Sequence, residues 1–354
     1  MKLSCILAIA LAVSTVAFSQ SKPLTQAEFV KLLYALQKEP DAKTRIVEAL
    51  RSRGIDFVLT DGIRGLARSK SGNDEDLRRA LEEAERRRRD PAGSVLPPPA
   101  EAAVALERTR TNTLAALDEM PDFVVKQQIQ RSAAYAGTGN YRDLDKLVVA
   151  VSYRAEGQEE YKVLSLNGVI QNDPKPKQSY EEVGGTSSTG EFVTVLATIF
   201  KPESETRFEA VETDVVRGRR AIVFNFDVDQ ERARQTLGCK TLIDNFTRTG
   251  MKGRIWIDRA DFRVLRIESE ATGIPANFPC PTAKRIIDYD WATIADQRYL
   301  LPLVSDVRLT VRDKDRLFET RNLIRFKNYQ KYGSEIRILD DDETTPAEEK
   351  KPQQ

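Results

Sequence analysis

The sequence predicts an α+β protein: a small all-helical module followed by a curved antiparallel sheet with a covering helix. Three observations carry this reading. Between residues 24 and 90 apolar residues recur at helical spacing. From Pro121 onward the period falls to 2, the signature of half-buried strands. The stretch Gly253–Glu270 reads as strand, turn, strand, with Ile255 and Ile257 on one face and Trp256 on the other.

The chain has 354 residues, 31% charged and 40% hydrophobic, with a net charge of +1. That is a globular composition with no global field to draw nucleic acid or anionic lipid. It contains no histidine. Ser-His-Asp and Cys-His catalysis, His-ligated zinc and histidine pH switches are therefore excluded.

Taken in order, residues 1–19 read as a secretory signal peptide. Lys2 precedes an apolar run from Leu3 to Val16, and small residues follow at Ala17 and Ser19. The mature product is expected to be periplasmic or secreted and soluble. Cys5 falls inside the signal. Cys239 and Cys280 then suit one disulfide in an oxidising compartment, or remain two thiols. A bridge would stabilise the fold by roughly 3–4 kcal/mol on the chain-entropy view.

Residues 20–90 form the helical module. Thr25-Gln-Ala-Glu28 is a capping box, and Phe29, Leu32, Leu33 and Leu36 make one apolar stripe. A second helix carries Ile46, Val47 and Leu50 and stops at Gly54. Two more run through Ile63 and Leu66 and from Asp74 to Glu85. Each has one apolar face, so they must pack on each other or on a partner. The motifs Leu24-Thr-Gln-Ala-Glu-Phe-Val-Lys-Leu-Leu33, Arg53-Gly-Ile-Asp-Phe-Val-Leu-Thr60 and Asp76-Leu-Arg-Arg-Ala-Leu81 resemble a helical module of exported and envelope proteins of soil bacteria. The resemblance implies a protein partner at most. Arg86 to Arg89 read as the solvated, dipole-favoured end of a helix, with contact to a headgroup or nucleic acid as the other possibility.

Residues 91–120 are a Pro-rich linker, with Pro97-Pro98-Pro99, and a lead-in helix from Glu101 to Met120. The sheet is assigned to 121–335 and an acidic, disordered tail to 336–354. Expected strands are Phe123–Arg131, a strand carrying Leu147 to Tyr153, Tyr161–Leu166, Thr206–Val216, Arg219–Asp229, the central hairpin, Arg285–Trp291, Leu303–Val311 and Leu317–Tyr329. A turn-rich region from Asn167 to Gly190, with Gly184-Gly185, could be a mobile loop. In the Leu303 strand, Leu303, Val307, Leu309 and Val311 are expected on one face. Ser188-Thr-Gly-Glu191 reads as a second capping box, opening a helix with Phe192, Val195, Leu196, Ile199 and Phe200 on one side. That helix should cover the sheet. About ten strands and one helix can curl into an open barrel.

Residues 121–332 resemble the periplasmic lipoprotein-carrier (LolA/LolB-like) superfamily, in its uncharacterised exported branch. The cues are Gly190-Glu-Phe-Val-Thr-Val-Leu-Ala-Thr-Ile-Phe-Lys-Pro202, Gly253-Arg-Ile-Trp-Ile-Asp258, Phe262-Arg-Val-Leu-Arg-Ile-Glu268, Asp288-Tyr289 and Tyr299-Leu-Leu-Pro302. The resemblance implies a half-barrel sheet, lidded by helices, that holds acyl chains. On this reading the function is binding, without chemistry, of a lipid or a lipoprotein acyl chain. The ligand would meet Phe192, Leu196, Phe200, Phe224, Phe226, Ile255, Ile257, Phe318 and Phe326. The same side chains could instead fill a closed core; the protein would then be an envelope scaffold acting through its helical module. Asp258, Asp261, Glu268, Asp288 and Asp290 could pair as acid and base, but alternating acids read first as the wet face of a sheet. The charges from Arg308 to Arg321 read as cross-strand pairs, which leaves no nucleic-acid surface. Asp340 to Glu343 lie in the flexible tail with no preorganised metal geometry. No cofactor or metal is expected.

Overall fold

The computed structural model describes residues 22–36, 39, 42–154, 158–171, 185–233, 235–240 and 244–333. The segment read as a signal peptide, the acidic tail and most of the region around Gly184 lie outside the described residues. Four helices come first: α1 (Gln26–Ala35), α2 (Ala42–Arg53), α3 (Asp61–Ser71) and α4 (Glu75–Arg89). The Thr25 capping box forms. Thr25 Oγ1 accepts from the Glu28 amide at 3.2 Å, and the Glu28 carboxylate accepts from the Thr25 amide at 2.9 Å. Gly54 follows α2 at φ +69°, a value that suits glycine, and its amide closes on the Leu50 carbonyl. Asp74 caps α4 by accepting from Leu77 N at 2.8 Å. The one-sided stripes meet in a shared core of Phe29, Leu33, Ile46, Leu50, Leu77 and Leu81.

A long helix, α5 (Pro99–Asp118), leads into β1 (Phe123–Tyr135), β2 (Arg142–Arg154), β3 (Gln158–Leu166) and the short β4 (Val169–Ile170). After α6 (Thr194–Phe200) come β5 (Arg207–Val216), β6 (Arg219–Val228), the single turn α7 (Gln230–Ala233), β7 (Gln235–Lys240) and β8 (Asp244–Asp258). The last strands are β9 (Val264–Thr272), β10 (Thr282–Ile294), β11 (Gln297–Asp313) and β12 (Arg316–Lys331). They make one open, curved antiparallel sheet of twelve strands in the order β4-β3-β2-β1-β12-β11-β10-β9-β8-β6-β5, with β7 hung on β8. The first and last long strands pair in its middle, Phe123 opposite Lys331 and Tyr135 opposite Phe318. Cys239 and Cys280 form a disulfide with Cα atoms 5.9 Å apart, tying the β7–β8 ribbon to the segment before β10.

The structure corrects the sequence reading in several places. Most strands are longer than expected, β5 and β6 being one residue shorter, and β4, β7 and α7 were not anticipated; β4 and α7 are too short to show a period. The helix predicted to open at Ser188 begins at Thr194, with no side-chain cap. Ser188 Oγ instead donates to the Glu191 carboxylate ahead of the helix. Leu303 does not share a face with Val307. A bulge between the pairs Asp288–Val304 and Tyr289–Pro302 skips it, and it is exposed. Arg86 and Arg87 are not a solvated helix end, because they reach Asp214 and Glu212 on β5. Only Arg88 and Arg89 stay local, on Glu85.

The alternation predicted for the strands sorts the sheet into two unlike faces. One carries Ile222, Phe224, Ile255, Ile257, Ile267 and Ile287 and lies beneath α5 and α6. The other carries charges and lies beneath α2 and α4. There Glu83 meets Arg254 at 3.0 Å, Glu75 meets Arg308 at 2.8 Å and Arg321 at 3.0 Å, Asp76 meets Lys284 at 3.3 Å, and Arg79 and Arg51 both meet Glu268 at 3.4 Å. The strand acids read as a wet face are therefore covered where α2 and α4 sit.

Candidate functional site

The candidate residues converge on the face beneath α6, with one exception. Ile222, Phe224 and Phe226 on β6 stand opposite Ile257, Ile255 and Gly253 on β8. Ile255 in turn pairs with Ile267 on β9, and Ile267 with Ile287 on β10. These period-2 positions form a continuous apolar strip across four strands. Gly253 lets the strands close up: a Cβ there would stand 1.9 Å from the Glu268 carbonyl oxygen. Leu196 and Phe200 come down on this strip from α6, with Val195 and Ile199 beside them. Ala102 and Ala105 of α5 join the same layer, so α6 shares the cover with a second helix.

Phe192 marks the other end. Its ring sits 5.2 Å from Phe123 and 5.5 Å from Phe326, edge-on to both, and 6.2 Å from Tyr153 and 6.5 Å from Tyr329. These five rings form an aromatic nest. Phe318 lies apart. It is half-buried and packs on Tyr135 at 5.0 Å, on the far reach of β12. The remaining candidates, Phe192, Leu196, Phe200, Phe224, Phe226, Ile255, Ile257 and Phe326, are all 4% exposed or less. Six of them pack in the layer under α6, and Phe192 and Phe326 pack in the neighbouring aromatic cluster.

Sequence reasoning missed the polar groups on this same face. Gln127 is fully buried between Val149 and Phe326, and neither its amide oxygen nor its nitrogen has a partner. Ser305, between Ile287 and Ile324, has an unpartnered hydroxyl. Glu191, also fully buried, keeps Oε2 unpartnered while Oε1 takes the Ser188 hydroxyl. Glu159 lies directly opposite Tyr153 and accepts from the Gly190 amide at 3.1 Å. Burial pushes its carboxyl above the ordinary range, against hydrogen bonds from Tyr161 and Gly190. A signal was available: Gln127 and Ser305 occupy apolar positions in otherwise alternating strands.

On the charged face a cleft of about 360 Å³ opens between α4 and strands β9 to β12. Its walls include Arg266 and Arg321, which are already matched, to Asp288 at 2.7 Å and to Asp306 at 2.9 Å. The carboxylates weighed for acid–base work are likewise engaged. Asp258 accepts from the amides of Ala260 and Asp261 and pairs with Arg219. Burial alone would raise its carboxyl, but these donors hold it below the ordinary range. Asp261 also pairs with Arg219, Glu268 with Arg51 and Arg79, and Asp288 with Arg266 and Arg217. Asp290 stands at the exposed edge near Arg217. Among the described residues no group of three or more metal-ligating side chains is placed to hold an ion. No helix among them is long and apolar enough to cross a membrane.

No protein-family model matches the chain, and no curated protein sequence matches it. Among solved structures it is similar to a DUF1329 family protein from Desulfovibrio piger, at 8% identity and a TM-score of 0.27, over 66% of this chain and 95% of that one. It is also similar to a chain of the Pseudomonas aeruginosa MucA/MucB complex, at 12% identity and a TM-score of 0.18, over 63% and 94%. A second structure, of MucB with periplasmic MucA, gives 11% identity and a TM-score of 0.17 over the same shares. These are distant likenesses.

Proposed function

We propose that this is an exported, non-enzymatic protein that binds a hydrophobic ligand between α6 and the apolar face of the sheet. The ligand would be a lipid or the acyl chain of a lipoprotein. The supporting observation is the construction of α6. It has seven residues, no side-chain cap and four buried apolar side chains, Val195, Leu196, Ile199 and Phe200. Gly190 at φ +81° precedes it as a natural hinge, and Pro202 follows it and ends it. Lifting α6 uncovers the part of the apolar strip that α5 does not cover. Roughly 1.5–3 kcal/mol per buried side chain must then be replaced. An acyl chain of about ten methylenes supplies some 8 kcal/mol at about 0.8 each. Chains much shorter than that should not bind.

A second reading has its own support. The strip is filled as it stands, and α1 to α4 carry a core of their own. On that reading the protein is an envelope scaffold that meets a partner through the helical module. Because α4 faces the sheet, the free surface is that of α1 and α3, where Tyr34 is exposed beneath Lys70.

Native mass spectrometry of the signal-cleaved protein, followed by organic extraction, separates the two. A stoichiometric adduct of one lipid class, lost in Phe224→Asp, is the expected result. A bare mass, with no uptake of a fluorescent acyl probe, would transfer the assignment to the scaffold.

A further inference from the structure

The buried polar groups beside the aromatic nest bear on which ligand the site would take, given the hydrophobic-ligand reading on which this step rests. We propose that Glu159, Glu191 and Gln127 form the head-group end of the site, and that the ligand is an amphiphile with an ammonium head. Three features lead there. First, native interiors rarely bury polar atoms without partners. Gln127 keeps both side-chain atoms unpartnered and Glu191 keeps Oε2 unpartnered, each on a fully buried residue. They belong to the layer that holds the candidate tail-binding residues: Gln127 stands opposite Phe326, and Glu191 immediately precedes Phe192.

Second, the local charge is negative. Glu159 is anchored beside Glu191 through the Gly190 amide and lies across from Tyr153. Arg285 is the cation whose field reaches Glu159 and Tyr289. Arg131, further along β1, is already matched to Asp145 at 2.6 Å. Among the described residues, the two carboxylates beside the nest disfavour a carboxylate or phosphate head and favour a cation.

Third, the nest of Phe123, Tyr153, Phe192, Phe326 and Tyr329 supplies π faces next to the acids. Aromatic faces backed by carboxylates attract ammonium groups, more strongly when water is excluded. The amide oxygen of Gln127 would accept a further N–H. The tail would run from the nest along the strip under α6, toward Phe224 and Ile255.

The test compares two ligands of one tail length, tetradecylamine and tetradecanoate, at pH 7 below their aggregation limits. Each displaces the neutral probe N-phenyl-1-naphthylamine from the mature chain. The amine should displace at about tenfold lower concentration than the acid, the factor expected of one well-formed charged contact. Isosteric Glu191→Gln should erase most of that preference, and Phe224→Ala should weaken both ligands alike. Equal displacement, or preference for the acid, overturns the head-group assignment and leaves the hydrophobic-ligand reading standing. A Gln127→Leu, Ser305→Ala variant that melts higher yet still discriminates would overturn the place of Gln127 in the head-group end and assign it, with Ser305, to the core. If neither ligand displaces the probe, or the probe is not taken up, the hydrophobic-ligand reading falls and this inference with it.

Discussion

Gly253 shows how much one missing carbon can matter. Its neighbours are backbone atoms of β9, which cannot swing aside as a flexible side chain would. Gly253→Ala should therefore cost more than an ordinary strand substitution, about 2 kcal/mol or more, read as a lowered denaturant midpoint. Gly190 is a milder case: at φ +81° an alanine is strained by roughly 1 kcal/mol. The Cys239–Cys280 bridge spans 41 residues of sequence. A Cys239→Ser, Cys280→Ser pair should lose about 2–4 kcal/mol of stability, and reductant should weaken the wild type but not the variant.

Among elements, α4 contributes most to assembly of the whole. Its charged side chains reach strands from β5 to β12, and Glu83 is buried against Arg254. Glu83→Ala leaves that guanidinium with Glu212 as its carboxylate and should destabilise by about 1.5–3 kcal/mol, the worth of one charged hydrogen bond. A double-mutant cycle on Glu83 and Arg254 isolates their coupling from the pairing of Arg254 with Glu212. The sequence made α4 legible as a helix but not its destination. Arg86 and Arg87 look like any basic helix end until Glu212 and Asp214 arrive from more than a hundred residues away. The strands were legible because alternation is local: Ile255, Trp256 and Ile257 face as expected. Leu303 was misplaced because a bulge depends on the partner strand, and the distance of Phe318 from the other candidates, set by its pairing with Tyr135 and Val311, is not written in one strand's pattern. The polar end of the candidate site was overlooked because a glutamine or serine at an apolar strand position reads as a break in the alternation rather than as a buried group.

At the scale of the molecule, the two faces of the sheet answer to different solution conditions. The apolar face should be insensitive to salt, while exposed members of the ionic layer are screened. With no histidine in the chain, its response to acid rests on carboxylates. Asp76 and Asp306 are held below the ordinary range: burial opposes this, but Lys284 and Arg79 around the first, and Arg308 and Arg321 around the second, prevail. A depressed carboxyl lends stability that is fully present above about pH 4 and is lost as pH falls through the folded-state value. Glu159 acts oppositely, since ionising a buried acid with a raised value costs stability as pH rises through it. Thermal melts should show the main loss below about pH 4, and Glu159→Gln should remove the opposing slope.

The pairing of β1 with β12 also sets a schedule. The sheet's central seam joins Phe123 to Lys331 and cannot close until the final strand has been made. A chain emerging from the ribosome thus holds the inner edge of β1 open while residues 136–315 are made. Contacts this distant in sequence form slowly. The sheet therefore cannot complete its core until β12 is made, whereas α1 to α4, with a core of their own, can pack earlier. The open edge of β1 is also the first place where a crowded or interrupted synthesis would aggregate.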